Sequence, residues 1–160
     1  MNNTLKTERN QRGFTLIELM IVIAIIGILI SVGVVGWKVA IRKGNEAATI
    51  EALNKLREAQ VAYALSHHGE FGTFDQLISD GVVDDKYKGT NPVVNGYIYT
   101  LKVTPKSTTA PSNFTCNADP QSSEGVAATG KRHFYIDTVV PAIRENADQP
   151  AVASDPSIGQ

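Results

Sequence analysis

At 160 residues the chain has room for one modest domain and an appendage, but not for two full hydrophobic cores. Its 15 basic and 16 acidic residues leave a net charge of -1, which gives no electrostatic footprint for nucleic acid, whose phosphates demand a basic face. The single cysteine, Cys116, excludes an intramolecular disulfide and any multi-cysteine metal site, and reads as a small half-buried hydrophobe.

The chain starts with a short basic segment. Lys6, Arg9 and Arg12 stand against Glu8, so residues 1–13 carry +2, and their removal would take the net charge from -1 to -3. From Leu19 to Trp37 no residue is charged, and counted from Phe14 to Trp37 the apolar stretch reaches the roughly 20 residues that a helix needs to cross a bilayer. A secretory signal peptide would have an apolar region of only about 7 to 15 residues ending at an A-x-A-like site, and Ser31-Val32-Gly33 matches that site poorly. Glu18 is the anomaly. A carboxylate at the edge of an aliphatic span needs either a cation beside it or a path for its side chain to the headgroups.

The run Arg12-Gly13-Phe14-Thr15-Leu16-Ile17-Glu18-Leu19-Met20-Ile21-Val22-Ile23 resembles the cleavage and methylation signature of type IV prepilins and type II secretion pseudopilins, and the resemblance extends over Gly13 to Ile30. It implies that a prepilin peptidase cuts between Gly13 and Phe14 on the cytoplasmic side and methylates the new amino group of Phe14. Residues 1–13 are then a leader peptide, and Glu18 is the fifth residue of the mature chain. It also implies that Glu18 pairs with the Phe14 ammonium of a neighbouring subunit. An α-amino group with a pKa of about 7.7 to 8.0 is mostly charged at neutral pH, and methylation preserves that charge. Such a pair removes a lone charge from an apolar filament core and sets axial register. Lys38, Arg42 and Lys43 follow the span as Lys6, Arg9 and Arg12 precede it, so orientation rests on the resemblance and not on a charge bias.

Helical patterning continues past the span. Ile50, Leu53, Leu56, Ala59 and Tyr63 recur at steps of three and four, with Glu51, Lys55, Arg57 and Glu58 between them, as an amphipathic helix requires. One long helix is expected, with residues 14–37 in lipid and residues 38–66 packed on a soluble head, 67–160. Gln60 and the short length disfavour a self-associating coiled coil. Gly27, Gly33, Gly36 and Gly44 weaken the helix but let helices approach closely. No proline occurs before Pro92, so any loosening of the span has to come from Gly33 to Gly36.

His67-His68-Gly69 is expected to close the helix, and residues 73–78 to form a short helix or turn leading to Gly81. Residues 97–103, 113–118 and 133–137 have the β-branched and aromatic character of strands, punctuated by Gly96, Pro105, Pro111 and Gly130, which predicts a three- or four-stranded antiparallel sheet. The tail from Asn146 to Gln160 has no period and is expected to lie over the sheet or to be partly disordered.

No phosphate loop, dinucleotide fingerprint, zinc-helix motif or nucleophile elbow occurs. Ser112, His133 and Asp137 could be assembled into a nucleophilic triad, but no strained turn presents the serine. His67 and His68 lack further ligands for a metal, and Asp119, Glu124, Asp148 and Asp155 are too scattered for calcium, which wants 6 to 8 close oxygens. The expectation is an α+β protein that is not an enzyme and needs no metal or cofactor. The resemblance makes it a pilus or pseudopilus subunit held in the inner membrane before assembly, with identical subunits, prepilin peptidase and assembly machinery as partners. The rival is a single-pass anchored periplasmic enzyme or binding module, which would need a concave site with convergent polar groups.

Overall fold

The computed structural model describes residues 13–125 and 127–159, and its elements divide between two units that meet in sequence at Trp37 and Lys38. One helix, α1 (Leu16–Ser66, 51 residues), runs through both. In the first unit every described side chain from Leu16 to Trp37 is exposed, aliphatic ones included. The helix is continuous past Gly33 and Gly36.

The second unit is α+β. It contains the remainder of α1, a six-residue helix α2 (Phe74–Ser79), a 3-10 turn at Asp85–Tyr87, and five antiparallel strands in the order β1-β2-β3-β4-β5. These are β1 (Val93–Val94), β2 (Tyr97–Thr104), β3 (Asn113–Pro120), β4 (His133–Asp137) and β5 (Arg144–Asn146). The three long strands fall where β-branched and aromatic character predicts them. The two short edge strands raise the count above the three or four expected, because two or three residues are too few to show a period, and Arg144-Glu145-Asn146 lacks strand-forming side chains.

Alternation places Tyr97 and Tyr99 of β2, Phe114, Cys116 and Ala118 of β3, and Phe134 and Ile136 of β4 on one buried face. On the central strand a small residue stands between two large ones. Ala118 lies opposite Tyr99 on one side and Phe134 on the other, and Cys116 opposite Leu101 and Ile136. The α1 stripe, with Leu53, Leu56 and Tyr63, joins this face in one core. Two polar residues of α1 are also fully buried, Thr49 and Gln60. The Gln60 amide grips the backbone of Gly72 at both ends, donating to its carbonyl at 2.7 Å and accepting from its N–H at 2.9 Å. A residue that breaks the apolar stripe in the sequence thus fastens the chain that follows the helix.

Asn95-Gly96 joins β1 to β2 with φ of 52° and 74°, the paired left-handed conformations of a type I′ hairpin turn. A Cβ at residue 96 would also lie 2.7 Å from the Cβ of Thr129, so glycine is required there on two counts. Helix α1 closes as a Schellman motif, with the Gly69 N–H bonded to the Ala64 carbonyl at 2.9 Å. The residue forced into the left-handed region at its end is His68, at φ 55°. Helix α2 opens on a reciprocal capping box between Thr73 and Gln76.

The tail is ordered over its described residues. Asn117 Nδ2 donates to the Ala151 carbonyl at 2.8 Å, Glu145 N–H to Pro156 at 3.0 Å and Ile158 N–H to Ile143 at 3.0 Å, while Ala151 is buried. Of the two states expected for it, the surface segment laid on the sheet is the one found.

Candidate functional site

Gly13, Phe14 and Thr15 lie outside regular structure, and the helix starts at Leu16. Thr15 is its N-cap. The Thr15 N–H donates to Glu18 Oε2 at 2.8 Å, the Thr15 hydroxyl donates to the same oxygen at 2.7 Å, and the Glu18 N–H donates back to Thr15 Oγ1 at 3.3 Å. This is a capping box, in which an N-cap threonine and a glutamate three residues later satisfy each other's backbone donors. The acid also lies in the first turn, where the positive end of the helix dipole favours negative charge.

The signal for this arrangement is present in the sequence as Thr15-Leu16-Ile17-Glu18, and reading Glu18 only as a membrane anomaly misses it. Both local bonds fall on Oε2. Among the described residues Oε1 accepts none, so the carboxylate can hold the helix start with one oxygen and receive a further donor on the other. Phe14 is 91% exposed beside it. A Cβ on Gly13 would meet nothing within 4 Å among the described residues. Farther along the span the Ser31 hydroxyl donates to the Ile28 carbonyl at 2.7 Å and is satisfied within its own helix.

The three residues considered as a nucleophilic triad are engaged separately. Ser112 is buried, accepting from the Phe71 N–H and donating to the Thr104 carbonyl. His133 Nδ1 pairs with Asp119 at 2.6 Å, and Asp137 caps the N–H groups of Val139 and Val140. The acids weighed for calcium are likewise dispersed. Asp155 accepts from the Val152 N–H, and among the described residues no three His, Cys, Asp or Glu side chains converge as an ion site. His67 stacks on Tyr63 at 3.8 Å between ring centres and lies 3.6 Å from Asp80. Cys116 is fully buried, and burial pushes its thiol well above the ordinary cysteine range, away from the reactive thiolate.

A second polar cluster escapes sequence reasoning. Glu46, 5% exposed, accepts from Arg132 Nε at 2.9 Å and from the Lys131 N–H at 3.1 Å, and Arg132 donates to Glu145 at 2.6 Å. Asn45 donates to the Thr129 carbonyl at 2.8 Å and Arg42 to the Gly125 carbonyl at 3.0 Å. Arg42, Asn45 and Glu46 of α1 thereby hold, in order, Gly125, Thr129 and Lys131 of the chain between β3 and β4. The pairing is structural, tying the helix to the segment before β4 and, through Arg132, to Glu145 of β5.

Residues 9–34 match the family model for the prokaryotic N-terminal methylation motif, a stretch that includes Gly13, Phe14 and Glu18. The chain is similar to the type IV wide pilus major component PilA4 of Thermus thermophilus, 38% identical over 74 residues, which are 46% of this chain and 56% of that protein. It is also similar to prepilin peptidase-dependent protein D of Escherichia coli K12, 42% identical over 59 residues, 37% of this chain and 40% of that one. The matches thus span about half the length of these curated relatives. No solved structure matches the chain.

Proposed function

We propose that this chain is a structural subunit of a type IV pilus or pseudopilus, held in the inner membrane by residues 14–37 and drawn into a filament of identical subunits by the assembly machinery. The observation that carries the reading is the methylation motif set at the start of a helix whose described side chains from Leu16 to Trp37 are all exposed, with one acid at its mouth. Such a surface requires lipid first and neighbouring helices afterwards.

In this mechanism the peptidase cuts after Gly13 and methylates Phe14. Cleavage converts the Phe14 amide into an ammonium. In the filament a neighbour's ammonium approaches Glu18 Oε1 while Oε2 keeps its bonds to Thr15. The relatives are named for a pilus component and for dependence on prepilin peptidase, in keeping with this sequence of events.

The test is processing. Intact mass and amino-terminal sequencing of sheared filament material should show N-methylated Phe14 as the first residue. Assembled filaments whose subunits still begin at Met1 would overturn the proposal.

A further inference from the structure

Immediately beyond the apolar span lie three cations. Lys38, Arg42 and Lys43 form no ion pair among the described residues. The first acid after them on the helix, Glu46, is buried and already taken by Arg132. Glu124, beside the Gly125 carbonyl that receives Arg42, is exposed and also unpaired. Lys38 and Arg42 are four residues apart and share a helix face, and Lys43 lies on the next row. Arg42 is held in place by its Gly125 bond, while its Nε is buried without a partner.

Distance decides what these charges can reach. Lys43 is six residues past Trp37, a rise of about 9 Å along the helix at roughly 1.5 Å per residue. That is within about one Debye length, roughly 8 to 10 Å at physiological salt, so all three cations feel a charged surface at the end of the span. Trp37, 70% exposed, is the type of residue that settles at headgroup level.

We infer that Lys38, Arg42 and Lys43 form a binding surface for anionic phospholipid headgroups, which surrounds the waiting subunit with acidic lipid at the leaflet opposite the leader. Zwitterionic headgroups present the same phosphate but bring their own ammonium, which competes with the protein's cations. An anionic headgroup presents the phosphate alone, and each Lys or Arg near the surface adds to the attraction. The inference rests on the membrane-held state proposed above.

Trp37 is the only tryptophan and reports its own lipid neighbours. The full chain, one copy per nanodisc to exclude second subunits, is placed in equimolar phosphatidylcholine and phosphatidylglycerol, with brominated acyl chains on one lipid or on the other. Brominated phosphatidylglycerol should quench Trp37 about twofold more than brominated phosphatidylcholine. The ratio should fall toward one in K38Q/K43Q, which keeps the Arg42 bond to Gly125, and should persist in K38R/K43R. Equal quenching by the two lipids in the native chain, or a ratio unchanged in K38Q/K43Q, overturns the inference while leaving the membrane span intact. No quenching by either lipid would overturn the span itself, and the inference with it.

Discussion

At Glu18 the two carboxylate oxygens meet different demands, and substitutions can separate them. Oε2 takes both Thr15 donors, a role that the amide oxygen of glutamine also fills, since capping boxes accept either residue at the third helical position. Glu18→Gln should therefore insert and be cleaved normally. Under the proposed pairing it leaves the neighbour's Phe14 ammonium without a counter-charge in an apolar core, at a cost on the order of 3 to 5 kcal/mol per subunit joined. Filament yield, read by shearing and electron microscopy, should collapse. Thr15→Val is the converse, losing the cap at about 0.5 to 2 kcal/mol but keeping the carboxylate, and assembly should persist. Wild-type filament yield from Glu18→Gln would show that the acid serves only the helix start and that the intersubunit pair is wrong. Leaving His68 in the left-handed region is a further local cost, of roughly 1 to 2 kcal/mol, which the Schellman closure of α1 offsets.

Along whole elements, what was legible in the sequence follows the length of each pattern. The α1 stripe and strands β2 to β4 run over enough residues to be read directly, the stripe from its period and the strands from their β-branched and aromatic side chains. Strands β1 and β5 are built from their neighbours' hydrogen bonds, and only Asn95-Gly96 announces the first of them. Glu46 reads as one more residue of a polar helix face, because its burial is decided by Arg132, 86 positions away. Replacing it tests that tie. Glu46→Ala removes the acceptor of both Arg132 Nε and the Lys131 N–H. Because Arg132 is a third exposed and keeps Glu145, the loss should fall below that of a fully buried pair, at about 2 to 3 kcal/mol. Urea denaturation of the soluble head should show a lower midpoint with an unchanged slope.

Taken as a whole, the molecule divides its chemistry between two units, one with an exposed apolar surface and one with a buried core. A head produced from about Lys43 onward should be soluble, folded and monomeric, as judged by circular dichroism and sedimentation, because residues 14–37 are the segment of membrane length. Obligate membrane association of that fragment would contradict the division. The separate engagement of Ser112, His133 and Asp137 leaves those three side chains apart as a catalytic group. Cys116 gives this unit a built-in clock. Its sulfur is sealed at the centre of the middle strand, and the chain holds no second thiol to confuse the signal. A thiol-specific reagent can reach it only when the sheet parts, so at low reagent, where reclosing outpaces reaction, the labelling rate reports the opening equilibrium. In the isolated head the opening free energy from labelling should equal that from urea, since the site lies where only global unfolding exposes it. Labelling faster than urea stability allows would reveal a door in the sheet, through which a subunit under tension in the proposed filament would begin to come apart.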